Sequence, residues 1–479
     1  MRARLRGNIS HIRGALLGAL ITIALATSTG CGQADAPKTT SNSISSHASP
    51  HLEYTAAPLA YNLAGGSFTI ASRGRQSLQR PQPKLSAEQQ LEWAVGKSFA
   101  TQAWVSAPAT TTARDGLGPL FNANSCSSCH IRNGQGRLPE NGLGLILRLG
   151  TQFPTFGEQL QDMANPGSEP EGRVTWRDIT QDIVLADGSE YALTKRHYEV
   201  DGNQKSASAR LAPALIGMGL LAAIKTDDII ANSDPTDINQ DGISGAANYI
   251  VRGNGEPPAL GRFGWKASQE SLIAQVALAF FEDMGITSSR HPPLACPKND
   301  CSEPSNTAME ISDKLLNAVT DYIANLAVPA AAHDELSLQG KSIFNHIGCA
   351  ACHIPSFNID VPASPFAAVD GGGNTQEINV ITETIYPYSD LLLHDMGPNL
   401  ADQYSSDGTA AAEWRTAPLW GLGIRAENSD NARLLHDGRG RSISEAILWH
   451  GGEAAASKSR FTQLSESEHA ALLHFLKAL

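Results

Sequence analysis

The chain has 479 residues and a formal charge of −12, with 36 basic against 48 acidic side chains. Setting aside the arginines of the first thirty residues leaves 32 against 48, near −16, which argues against a nucleic-acid surface. The length is more than one small domain needs and allows two units with separate cores.

Residues 1–31 begin with Arg2, Arg4, Arg6 and Arg13, continue with an apolar stretch from Ala15 to Ala26, and end in small residues before Cys31. This is the layout of a signal peptide, and the apolar part is too short to span a bilayer. Ser28-Thr29-Gly30-Cys31 resembles a lipoprotein cleavage site, although Ser28 stands where Leu is usual. The expectation is export to the periplasm and a lipid anchor on Cys31. Residues 32–85 are rich in Ser, Ala, Thr and Pro without apolar periodicity, and read as a flexible tether.

Order is expected from Ser86, where Leu91, Val95 and Phe99 recur at helical spacing. Between Val174 and Val200 the pattern alternates around Asp187-Gly188, which predicts a hairpin. Leu315, Leu316, Val319, Tyr322, Ile323 and Leu326 mark a further helix, and Ser465 with Glu468 forms a capping box ahead of Ala471, Leu472, Phe475 and Leu476. The predicted fold is mainly α: a first unit over 86–332 with a small β insertion, and a second over 333–479, divided near Val328 to Ala332.

Seven cysteines fall into Cys31 and three close pairs. Cys296 and Cys301 are expected to close a surface disulfide in an oxidising compartment. The other pairs sit in Cys126-x-x-Cys129-His130 and Cys349-x-x-Cys352-His353. C-x-x-C-H is the attachment sequence of c-type haem: two thiols add across the vinyl groups, and the adjacent histidine becomes the proximal iron ligand. A thioredoxin-like pair or half a zinc site are the competing readings, but neither explains a His beside each pair. The flanks repeat as well, LFNANSCSSCH at Leu120 to His130 against IFNHIGCAACH at Ile343 to His353, which implies two related units. The sixth iron ligand decides between electron relay and substrate binding. Its candidates are Met163, Met218, Met284, Met309 and Met396, with His197, His291, His333, His346, His394, His436 and His450.

Further segments carry a family resemblance: YSDLLLHDMGPNLAD (Tyr388 to Asp402), WRTAPLWGLG (Trp414 to Gly423), LLHDGRGRSISEAILWHGGEA (Leu434 to Ala454), RLAPALIGMGLL (Arg210 to Leu221) and LGRFGWKAS (Leu260 to Ser268). Together they resemble the di-haem oxidoreductases of peroxidase type, also called thiol oxidoreductases, over residues 86 to 479. More distantly they are similar to the bacterial di-haem cytochrome c peroxidases. In those peroxidases a Met fourteen residues beyond an HDG segment ligates the C-terminal haem; here the segment is His436-Asp437-Gly438 and the position holds His450. The resemblance therefore implies His353 and His450 as the axial pair of haem II. It also implies a distal pocket at haem I with Gln275 and Glu282, Asp283 being a rival, and Trp265 between the haems.

A loop, DINQDGISG, spaces Asp237, Asn239 and Asp241 like a calcium loop with Gly242 at the turn, but Asn248 stands at the twelfth position in place of Glu. Calcium binding there and an Asx-turn are the two readings. The functional expectation is an enzyme that passes electrons from haem II to an open haem I and reduces peroxide. The alternatives are an electron-transfer cytochrome without turnover, or an oxidase of thiols or protein side chains. The expected partners are a small redox protein or quinol-linked donor and a peroxide or thiol substrate, with no nucleic acid.

Overall fold

The computed structural model describes residues 62–479 except 75, 141–142, 150–157, 202, 254, 293–308, 363–379, 406–407 and 428–432. The leader, the Cys31 anchor and the Cys296–Cys301 pair lie outside the described residues. Among those described, no helix is long and apolar enough to cross a membrane.

The expectation of a mainly α protein is overturned: among the described residues 32% are helical and 19% strand, a mixed architecture. Much of the strand content comes from the predicted hairpin, which pairs Val174–Val184 with Glu190–Val200 through the Asp187-Gly188 turn. Asn203–Arg210 and Ile146–Arg148 extend it to four antiparallel strands. The remaining strands are pairs of two to six residues, such as Phe357–Pro362 with Val380–Ile385. Most are too short to show alternation in the sequence, which is why their summed weight was not expected.

Two helix pairs repeat one packing device. Ala87–Thr101, opened by the Ser86–Gln89 capping box, crosses Asp313–Ala324 at Gly96, where a Cβ would lie 1.9 Å from the Ala318 carbonyl oxygen. Glu335–His346 crosses Glu466–Ala478 at Gly340, where a Cβ would lie 2.0 Å from the Ala471 oxygen. Glycine is required at both crossings because the backbones touch there. Its sequence mark is Gly-Lys-Ser at Gly96-Lys97-Ser98 and Gly340-Lys341-Ser342. The Phe-Asn pair shared by the flanks of the two C-x-x-C-H motifs does not keep its conformation: Phe121 ends a strand and Phe344 lies in a helix.

The first helix exists as predicted, but with another face inward. Leu91 and Val95 are 69% and 42% exposed, whereas Trp93, Gly96 and Ala100 are buried. Trp93 Nε1 donates to the Tyr322 carbonyl at 3.1 Å. The tether also ends earlier than expected. Phe68 and Leu78 are buried in a cluster with Leu220, Val328, Ile359 and Trp420, and Thr69–Ile70 pairs in parallel with Val328–Pro329.

The hairpin tip docks on the C-terminal helices. Leu185 and Leu193 are buried with Phe344, Trp449 and Phe475, His469 Nδ1 bonds Asp187 Oδ2 at 2.7 Å, and Ala186 N–H donates to the Thr462 carbonyl at 3.1 Å. Leu193→Ala is expected to destabilise the protein by about 2–5 kcal/mol, the range for a buried leucine. Urea unfolding of the holoprotein checks this, and a cost below about 0.5 kcal/mol would mean that the tip does not pack there.

Candidate functional site

Both C-x-x-C-H motifs open onto cavities. The first, about 250 Å³, is lined by Cys126, Cys129 and His130. The two cysteines bracket one helical turn, Cys126–Cys129, so that both thiols and the next residue's imidazole face one space. His130 Nδ1 donates to the Pro213 carbonyl at 2.6 Å, which leaves Nε2 with a lone pair. Burial lowers this imidazole to about 4, partly offset by that bond, so it is a neutral ligand. Burial, aided by the charge of Asp283, pushes both thiols up to about 12. A thioredoxin-like pair needs a thiol lowered below its ordinary value, and these are raised.

One stripe of the helix Leu272–Met284 lines the same cavity, with Gln275, Ala279 and Glu282 at i, i+4 and i+7. Arg148 Nη1 donates to Glu282 Oε2 at 2.8 Å. Asp283, the next residue, accepts from Gln159 Nε2 at 2.9 Å; burial pushes its carboxyl up to about 6, opposed by Gln159 and Arg148. Arg148 and Gln159 were missed in the sequence. Arg148 had a signal, a lone charge in the apolar run LGLILRLG that becomes the strand Ile146–Arg148.

The second cavity, about 220 Å³, is lined by Cys349, Cys352, His353, His394, Met396, His436 and His450. His353 Nδ1 donates to the Tyr388 carbonyl at 2.9 Å, and His450 Nδ1, at the C-cap of Ile443–Trp449, donates to the Ala446 carbonyl at 2.7 Å. Two imidazoles thus line one cavity, each with Nδ1 committed to backbone and Nε2 left over. Burial lowers His353 to about 4 and lowers His450 as well. His394 differs: it is held between Asp390 at 2.8 Å and Glu453 at 2.6 Å. Burial opposes its charge, but bonds to Asp390, Cys352 and Glu453 raise it to about 12. It is a cation with both nitrogens taken. His436 stacks on Trp414 at 3.6 Å between centroids, and burial lowers it to about 3.

Trp265 lines both cavities. Its Nε1 donates to the Leu211 carbonyl at 2.8 Å, and its ring meets His436 edge-on at 6.5 Å. Of the other candidate sixth ligands, Met218 and Met284 line the first cavity; Met163, Met309, His197, His291, His333 and His346 line neither. The Asp237 loop is exposed, and its oxygens accept from backbone amides: Gly242 N–H to Asp237, Asp241 N–H to Asn239 and Ile243 N–H to Asp241. These are Asx-turn bonds within the loop.

Each cavity combines two thiols with a neutral imidazole whose free nitrogen is unencumbered, the donor set that suits a haem. A family model described as "Di-haem oxidoreductase, putative peroxidase" matches residues 60–152 and 186–479. The interval it skips, 153–185, contains the first hairpin strand, Val174–Val184. Among curated proteins nothing matches. With most of its length covered by that match, the chain belongs to the di-haem oxidoreductase family.

Proposed function

We propose that the protein is an exported di-haem c-type cytochrome that reduces peroxide, with the first cavity as substrate site and the second as electron entry. The observation that carries this is the asymmetry of the cavities. A second imidazole, His450, is available beside His353, whereas the first cavity has no histidine besides His130 among its described lining residues and carries Gln275, Glu282 and Asp283.

Cys126 and Cys129, and Cys349 and Cys352, would hold the haems covalently, with His130 and the His353–His450 pair as iron ligands. Bound there, the haems would supply the redox chemistry that delivers electrons to peroxide. The chain's own groups move the protons. Arg148 fixes the Glu282 carboxylate by a charge-assisted bond, and a carboxylate so placed can take a proton from one peroxide oxygen and return it to the other. Trp265, lining both cavities, would be one side chain through which they communicate. The location is periplasmic, with a lipid anchor on Cys31 and a small redox protein or quinol-linked donor.

One observation favours a second reading. Met218 lines the first cavity, and as a sixth ligand it would leave an electron-transfer cytochrome without turnover. Oxidation of thiols or protein side chains would use the same cavity and be recognised by its product.

The test is haem counting together with His450→Gly. Wild type is expected to give two haem c per chain. The variant is expected to convert one of them from low spin to high spin and raise its potential, because imidazole favours the ferric state. An unchanged spectrum would remove His450 from the ligand set.

A further inference from the structure

Besides Trp265 and Gln135, the polar side chains that line both cavities among the described residues are Arg415 and Arg425, the two charged groups the cavities share. Among the described residues neither makes an ion pair with a carboxylate. Arg415 is 7% exposed; its Nε donates to the Gly264 carbonyl at 2.8 Å and its Nη1 to the Thr416 carbonyl at 3.3 Å. Arg425, on the helix Leu422–Glu427, has a buried Nε without an acceptor, and its other bonds are long: 3.4 Å to Gln135 Oε1 and 3.3 Å to the Pro418 carbonyl.

Other buried arginines are provided for. Arg210 makes a forked pair with Asp402, Arg439 pairs with Asp437, and Arg262 donates to three carbonyls and the Thr226 hydroxyl. A cation taken from water without a counter-ion is costly, and a guanidinium presents five donors in a fork that fits a carboxylate. Two such forks lie between two haem cavities with donor positions to spare. Burial lowers both guanidinium groups to about 10, in Arg415 partly offset by Asp390.

We propose that Arg415 and Arg425 bind the propionate carboxylates of both haems and form one cationic bridge shared by the two cavities. This rests on the di-haem reading. The shared position has a consequence that separate anchors would not: loss of either arginine changes both haems. A nearby positive charge favours the ferrous state, so its removal lowers both midpoint potentials.

The experiment is potentiometric titration of Arg415→Met and Arg425→Met holoproteins, each with its haem count. With two haems retained, the ratio of reduced to oxidised haem at a fixed potential is expected to fall about tenfold at both haems, the scale of one lost charge-assisted bond. Arg425→Lys keeps the charge and is expected to recover part of the shift without the forked contact. Two haems with unmoved potentials, or a shift at one haem alone, overturns the shared bridge. Wild-type protein holding fewer than two haems overturns the di-haem reading beneath it. Should the methionine variants fail to mature, wild type serves: solid-state NMR between ¹³C-labelled propionates and ¹⁵N-labelled arginine is expected to show couplings for both haems, and none would overturn the proposal.

Discussion

Glu282→Gln is expected to lower peroxide turnover by about 10²- to 10⁴-fold, the usual contribution of a positioned acid-base group, while leaving two haems attached. The amide keeps the shape of the side chain and an oxygen for Arg148, which donates to Glu282 at 2.8 Å, but it cannot carry a proton between the peroxide oxygens. Asp283 adds a pH dependence. Its carboxyl is raised to about 6 by burial, so it holds a proton below that pH and loses it above. If it supplies the cavity with protons, wild-type turnover falls as pH rises through about 6, and Asp283→Asn removes that step. Steady-state peroxide consumption across pH 5 to 8 measures both, and full activity in Glu282→Gln would take the acid-base role from this residue.

Gly340→Val is expected to prevent stable folding of the C-terminal helix pair. A Cβ there would sit 2.0 Å from the Ala471 oxygen and 2.7 Å from the Phe475 Cβ, distances that rotamer changes do not relieve because the first atom is backbone. Even Gly340→Ala must separate the helices, at about 3 kcal/mol or more. Phe475 also stacks edge-on with Phe344 and Tyr388, whose carbonyl accepts from His353, so the disturbance reaches the second cavity. Gly74 has open space around its Cβ position, and Gly74→Ala is expected to stay within about 0.5 kcal/mol of wild type. Thermal unfolding followed at the haem absorption compares the three; equal midpoints would mean that the crossing is looser than described.

What was legible in the sequence is what local chemistry dictates. The C-x-x-C-H motifs, the Ser465 cap and the Asp187-Gly188 turn each depend on a few neighbouring residues, and the cap and the turn have their expected local form. The inward face of the first helix was misread because its contact is made by Gly96 and Ala100, small residues that hydrophobic periodicity does not register, while Leu91 and Val95 point to solvent. The fold class was misjudged for a related reason, since short strand pairs carry little pattern. In the candidate site Gln275 and Glu282 are implied by the family resemblance, but Arg148, which pairs with Glu282, is 134 residues away in the chain. Arg415 and Arg425 share the cavity walls with Cys126 and Cys349 only through folding.

The most direct test of the account is the optical and low-temperature EPR spectrum of the purified holoprotein, recorded before and after hydrogen peroxide is added. An open site at the first cavity beside a bis-histidine site at the second predicts high-spin and low-spin ferric haem in equal amounts, with the high-spin signal changing on peroxide addition. Two low-spin haems, neither responding to peroxide, would contradict it.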